Sequence, residues 1–431
     1  MENTEKKRKG IFQKNMKKDR FSLLQISTAT AIMKIEGYGR EERAEMKHLC
    51  NMMDYLKWRG DLPLSLAPFN EVDSLILSVC SYINYEGIVK EDGTTLFSDA
   101  VHAFLLMPDK FRELGILLPD EIETLADFAS SSPRFHGTRV SDFVNEIDEE
   151  SEMQFSAITY HLPDGSLFVA YRGTDDSLIG WKEDLNLSLY EGIPGEKAAR
   201  EYLDAVAKRY AGDIRVGGHS KGGHHAIYAA VHAARPTQKR ILLAYSHDGP
   251  GFPLEVLLSK RYEAMQGKLI TFLPQSSIVG VVLEHDKSYR YIRSKGEGIY
   301  QHDPFSWEVS VDRFVYLREP SHYGKRYGGA IRAFLTATTK EERRLFVETF
   351  SQMIALSGAK TLKELRADGI RAFARASKYF VTMEPKSRSE FRRLFHLLIA
   401  EMNYRPKKSK AGKKAAEPSL ESALLAERNE K

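Results

Sequence analysis

The apolar positions along this chain change period twice, and the changes divide it. In EERAEMKHLCNMMDYLKW (residues 41–58), Met46, Leu49, Cys50, Met53 and Leu56 recur at helical intervals. The prolines of WRGDLPLSLAPF end that pattern, and NEVDSLILSVCSYI (70–83) then predicts a buried helix. Residues 96–150 read as mostly helical, with TLFSDAVHAFLL and DEIETLADFASSS the clearest pieces. From residue 154 the period falls to two: QFSAITYHLPDGSLFVAYRG predicts a strand, a turn at Pro163-Asp164-Gly165 and a second strand, together a hairpin. Helix and strand then alternate, with helices over 196–210, 222–235 and 254–266 and strands at DIRVGGH, RILLAYSHD and KLITFLP. Such alternation predicts an α/β fold, a mainly parallel sheet with helices on both faces. Residues 311–404 turn helical again, and 405–431 lose periodicity.

Composition adds little to this, because 42% hydrophobic and 28% charged residues in a chain of 431 describe an ordinary globular protein with a full core. Charge is more informative by position. Residues 1–20 carry eight Lys/Arg against three acids and residues 405–431 carry eight against four, so the net +4 leaves residues 21–404 at −5. The basic character sits in two tails, which predicts solvated arms and no specific nucleic-acid partner. Cys50 and Cys80 are the only cysteines, so a reducing, cytoplasmic compartment is expected rather than a disulfide framework. Residues 21–33 imitate a signal peptide's apolar stretch, but Gln25, Ser27, Thr28 and Thr30 interrupt it and no small-residue cleavage site follows. No stretch approaches the roughly 20 apolar residues of a membrane helix, so no transmembrane segment is expected.

The chemistry concentrates at GGHSKGGHHA (217–226). A short apolar run enters Gly218-His219-Ser220-Lys221-Gly222 and HHAIYAAVHAA leaves it as a helix, the strand–G-x-S-x-G–helix setting of a serine nucleophile. Side chains at Gly218 and Gly222 are expected to collide with the adjoining strand and helix. The sharp turn then exposes the Ser220 hydroxyl, and the Lys221 N–H at the new helix's start faces developing negative charge. A glycine-rich structural turn is the competing reading.

A serine hydroxyl needs a base. His219 adjoins Ser220 but points elsewhere from an elbow, and His224 and His225 read as surface residues of the following helix. Of His247, His285, His302 and His322, His302 fits best, because YQHDPFSW (300–307) is loop-like and follows the strand SYRYIRS, in the chain order Ser, acid, His. Asp248 ends RILLAYSHD at a strand's carboxyl edge and is the first candidate acid, with a turn or helix cap as its alternative and Asp303 a weaker candidate. The loop AYRGTDDSLIGWKEDLN (170–186) is placed to supply a second oxyanion donor from Thr174, with Gly173 admitting the backbone and Trp181 either closing the site or filling the core.

Together, FVAYRGTDDSLIGWKEDLN, GGHSKGG, AYSHDGPGF and QHDPFSW resemble the Mbeg-like family, bacterial α/β-hydrolases related to class 3 lipases, and WRGDLPLSLAPFNEVDSLILSVCSYI is similar to that family's opening. The resemblance spans about residues 50–310. It implies an α/β-hydrolase fold, Ser220 as nucleophile, His302 as base, and Thr174 with Lys221 at the oxyanion hole. One departure stands out: the lipases carry an aspartate after the next strand, where this chain has PQSSIVG with Ser277. Either the acid has moved back to Asp248 or the triad is incomplete.

The expected organisation is a basic tail over 1–35, a lipase-like α/β-hydrolase domain over 36–310, a helical extension over 311–404 and a charged tail over 405–431. The expected function is a serine hydrolase cleaving ester or lipid substrates, with no cofactor and no metal. The alternative is a non-catalytic or weakly catalytic hydrolase-fold protein that binds or scaffolds. Residues 178–195 and 281–300 are candidate lids, and no oligomeric state is implied.

Overall fold

A computed structural model describes residues 50–90, 92–108, 121–148, 150–151, 153–174, 192–286, 288–296, 298–356 and 379–403. The chain divides into two units, Met1–Cys50 and Asn51–Lys431, and of the first only Cys50 is described. The expected tails over 1–35 and 405–431, and the stretch 175–191 with Trp181, lie outside the described residues.

Among the described residues, the second unit is built on a nine-stranded sheet. Its strands are β1 (Thr95–Leu96), β2 (Arg139–Asp148), β3 (Met153–His161), β4 (Leu167–Tyr171), β5 (Ile214–His219), β6 (Ile241–His247), β7 (Leu269–Pro274), β8 (Arg290–Ile292) and, at the far edge, β11 (Tyr316–Leu317). They lie side by side in that order. The run from β4 to β8 is parallel, and antiparallel pairs flank it from β1 to β4 and between β8 and β11. The short strands β9 (Val309–Ser310) and β10 (Arg313–Phe314) pair separately.

Helices α1 (Met52–Arg59), α2 (Glu71–Cys80), α3 (Phe97–Leu105) and α4 (Glu121–Ser131) precede the hairpin. Helices α5 (Pro194–Arg209), α6 (Lys221–His232), α7 (Arg235–Arg240), α8 (Leu254–Leu257) and α9 (Lys260–Met265) fall between the parallel strands. Because strand order runs steadily one way and parallel crossovers are right-handed, these connections pack on one face. The other face must be covered by something else, and α1 to α4 cover it. One core accordingly gathers Met52, Leu75, Phe97 and Leu125 with Phe168 and Ala170 of β4; the other gathers Leu203 and Ile227 with Leu167, Val169 and Tyr171. That alternation explains why LFVAY is apolar at every position. This is an α/β-hydrolase fold. Helices α10 (His322–Thr336), α11 (Lys340–Leu356) and α12 (Pro385–Asn403) follow the sheet.

Three expectations are corrected. The helix read over 41–58 is broken at Cys50 and Asn51, its part over 41–49 lying outside the described residues; α1 begins at Met52 because Asn51 closes a capping box, its side chain accepting from the Met53 and Asp54 N–H groups while Asp54 accepts from the Asn51 N–H. Residues 139–148, read as helical, form β2, paired on both sides with a bulge between Ser141 and Val144. The helical stretch expected from 311 begins at His322, behind the Ser321 cap, since β10 and β11 come first.

Candidate active site

The elbow forms where β5 meets α6. Ser220 has φ 58° and ψ −134°, a conformation that costs a non-glycine residue roughly 1–3 kcal/mol and that the surrounding packing must hold. Its N–H donates to the His247 carbonyl at 2.9 Å. A Cβ at Gly218 would lie 2.2 Å from the Gly222 carbonyl carbon, and one at Gly222 would lie 2.1 Å from the Tyr171 oxygen, so β4, β5 and α6 approach closely only with glycine at both positions. Lys221 is the first residue of α6, directly after the elbow serine. Its side chain is buried, and Nζ donates to the Gln154 main-chain oxygen at 3.0 Å and to Oε1 at 2.7 Å.

One strand along, Asp248 repeats the pattern. It follows β6 with φ 55°, its N–H donates to the Phe272 carbonyl at 2.9 Å, and it is fully buried. His302 Nδ1 donates to Asp248 Oδ2 at 2.7 Å, and Ser277 Oγ donates to Asp248 Oδ1 at 2.5 Å. Ser277 is held in turn by accepting the Gly280 N–H at 2.9 Å. So the carboxylate that faces His302 stands on the turn after β6, and the turn after β7 supplies a hydroxyl donor to it. Asp303 is elsewhere: it caps the Phe305 N–H at 2.9 Å, and burial raises its pKa to about 6.

His302 sits in a short 3-10 turn, Gly298–His302, that is well anchored. Gln301 Oε1 accepts the Ser276 N–H at 2.6 Å, and Trp307 Nε1 donates to the Gln301 carbonyl at 2.8 Å. Among the described residues, Ser220 Oγ makes no hydrogen bond with His302. Thr174, half-buried, leaves β4 beside Gly173, where a Cβ would come within 3.0 Å of Ser220 Cβ. The described chain stops there and resumes at residue 192.

The remaining histidines fall into other roles. His224 and His225, expected at the surface, are buried, because α6 is covered by the sheet on one side and α5 on the other. His224 Nε2 pairs with Glu196 Oε1 at 2.7 Å and Nδ1 donates to the Gly251 carbonyl at 3.0 Å. Burial holds the pKa values of His225 and His219 well below the ordinary imidazole range and pushes that of His247 down to about 3. His285 Nε2 donates to the Gly280 carbonyl at 2.5 Å, and His322 is exposed at the start of α10. Sequence reasoning missed Ser277 as a donor, the Glu196–His224 pair, and Tyr82, whose hydroxyl lies 3.2 Å from His219 Nδ1.

A family model described as Mbeg1-like matches residues 129–352, from the end of α4 into α11. The chain belongs to the Mbeg1-like family. In this Mbeg1-like chain the matched region holds the elbow, the Asp248–His302 pair and Ser277, whereas α1, α2 and α3 precede it. Curated proteins give no match. Among solved structures, the Rhizomucor miehei lipase–propeptide complex is 15% identical with a TM-score of 0.27, over 36% of this chain and 57% of that one. M37 lipase is 13% identical with a TM-score of 0.31, over 49% of this chain and 69% of that one. The Mbeg1-like chain thus spans little more than half of the Rhizomucor lipase, and its fold is defined by its own sheet topology.

Proposed function

We propose that this Mbeg1-like protein is a serine hydrolase that cleaves carboxylic esters through an acyl-enzyme on Ser220. The observation that carries the reading is the buried hydrogen bond between His302 Nδ1 and Asp248 Oδ2, beside a serine held at positive φ on a strand-to-helix elbow. In the proposed reaction Ser220 Oγ attacks the ester carbonyl carbon while His302 Nε2 takes the hydroxyl proton. The resulting imidazolium is stabilised by Asp248, whose charge Ser277 also helps to hold. The Thr174 and Lys221 N–H groups donate to the oxyanion. Collapse of the tetrahedral intermediate breaks the ester C–O bond, and His302 returns its proton to the departing alcohol. Water then attacks the acyl-enzyme by the same route and frees the acid.

The missing bond between Ser220 Oγ and His302 favours the second reading, a hydrolase fold used for binding, although such contacts commonly tighten only around substrate. Two free cysteines, Cys50 and Cys80, support a cytoplasmic setting. Among the described residues no helix is long and apolar enough to cross a membrane. Hydrolysis of p-nitrophenyl butyrate by wild type and Ser220→Ala separates the readings. Loss of turnover in a variant that melts near the wild-type temperature supports the hydrolase, and equal turnover in both proteins contradicts it.

A further inference from the structure

Helix α2 runs beneath the candidate site and touches the residue before each of two of its members. Ser74 Oγ shares a hydrogen bond of 2.9 Å with His247 Nε2, one residue before Asp248. Two turns further on, just past the helix end, Tyr82 Oη lies 3.2 Å from His219 Nδ1, one residue before Ser220. The approach is close: a Cβ at Gly217 would meet Ser74 Oγ at 3.0 Å, and one at Gly173 would lie 2.1 Å from Tyr82 Oη.

The hydrogen-bond directions form a chain. His219 Nε2 lies 2.9 Å from the His302 main-chain oxygen, and a carbonyl only accepts, so Nε2 carries the hydrogen. Burial keeps the ring neutral, which leaves Nδ1 as an acceptor, and Tyr82 is therefore the donor. The His219 ring also packs against the His302 ring, with centroids 4.6 Å apart, and lies 5.9 Å from Trp307. His302 is thus held twice, by its ring on Asp248 and by its main chain on His219.

We propose that Tyr82 is a positioning residue of the site: through His219 it fixes the main chain of His302 against the serine elbow. This assignment rests on the hydrolase reading. It also gives the turn that follows α2, which lies outside the region matched by the family model, a part in the chemistry. Direct contact with substrate is not required of it.

The test uses the full chain, p-nitrophenyl butyrate and four variants. Tyr82→Phe removes one hydroxyl and keeps the ring; the expected result is a fall in kcat of about five- to twentyfold with KM within about twofold. His219→Phe lowers kcat further, and Tyr82→Phe combined with His219→Phe is no worse than His219→Phe alone, because members of one chain fail together. Tyr85→Phe is the control: it removes a buried hydroxyl that donates to the Cys80 carbonyl at 3.2 Å, and it leaves kcat unchanged. Wild-type kcat in Tyr82→Phe, or equal losses in Tyr82→Phe and Tyr85→Phe, overturns the proposal even if His219→Phe fails to fold.

A second measurement does not depend on activity. In ¹⁵N-histidine NMR the proposal requires His219 to stay neutral with its hydrogen on Nε2 between about pH 5 and 8, and its Nδ1 resonance to move in Tyr82→Phe. A His219 that titrates in that window, or an Nδ1 signal indifferent to Tyr82→Phe, contradicts it. Failure of the hydrolase reading shows instead as a wild type without turnover, which leaves the NMR outcome to decide the chain of bonds.

Discussion

Asp248 is the residue on which the proposed chemistry turns. It gives one oxygen to His302 and the other to Ser277, so its charge is shared between the proposed base and a hydroxyl that has no charge to lose. Asp248→Asn is expected to lower turnover by on the order of 10³–10⁴, since an amide can hold the ring but cannot stabilise imidazolium. Ser277→Ala removes only one donor to the carboxylate and is expected to cost less than about tenfold. His302→Ala combined with Asp248→Asn should match His302→Ala alone. Turnover of the four variants checks this, and a near-wild-type Asp248→Asn would refute the assignment. At this scale the sequence displayed the parts but not their contacts. Asp248, Ser277 and His302 were all visible by position. That Ser277 serves Asp248 depends on two turns meeting at the carboxyl edge of β6 and β7, and no local pattern encodes that meeting. His224 and His225 were misread for a related reason. Their helix is buried on two sides, and a polar letter on a helix says nothing of what covers it.

Among the elements, α2 does the most for its length, because every residue from 72 to 80 is buried. It is held at its start by Asp73, fully buried with Arg134: the guanidinium Nε donates to Oδ1 at 2.5 Å and Nη2 to Oδ2. Arg134 also donates to the main-chain oxygens of Leu62 and Ala67 at 3.1 Å and of Pro68 at 3.2 Å, which ties the proline-rich connection to the same point. Arg134→Ala leaves Asp73 charged without its main partner, and the expected destabilisation is about 3–5 kcal/mol in urea unfolding. A loss below about 1 kcal/mol would show that the pair does not hold α2. The helix itself was legible as NEVDSLILSVCSYI from the apolar run of Leu75, Ile76, Leu77, Val79 and Cys80. Strand β2 was not: RVSDFVNEID keeps charged residues over its exposed end, and its bulge at Ser141–Val144 breaks the alternation that marks a strand.

For the whole second unit, the pattern of buried histidines sets how stability follows pH. The folded-state pKa values of His219, His225 and His247 lie below the ordinary value, that of His247 at about 3, because burial disfavours the charged ring. Unfolded, each titrates near about 6.5, so the unfolded chain binds more protons below that pH. Their contribution is complete above about pH 6.5 and is lost as pH falls toward the folded values. Asp303 works the other way, since its pKa is raised to about 6 and protonation relieves its burial as pH falls. Burial also lowers the pKa values of His161 and His285 and raises that of Glu71, so five histidines stand against two carboxylates and the urea midpoint is expected to be lower at pH 5 than at pH 7. A midpoint that holds or rises would contradict this balance. The architecture was the most legible level of all: alternating strands and helices named the sheet, and the direction of the crossovers explains why helices from before residue 131 must close its other face.

The central claim is that Ser220 is an activated nucleophile, and covalent labelling by a fluorophosphonate probe measures that directly. The probe loses its leaving group to the serine oxygen only where a base assists, so neither substrate choice nor product assay intervenes. Intact mass and peptide mapping should find one adduct, on Ser220, in the wild type, with none in Ser220→Ala and strongly slowed labelling in His302→Ala. A folded wild type that takes up no probe, or a Ser220→Ala variant labelled as fast as wild type, would contradict the account.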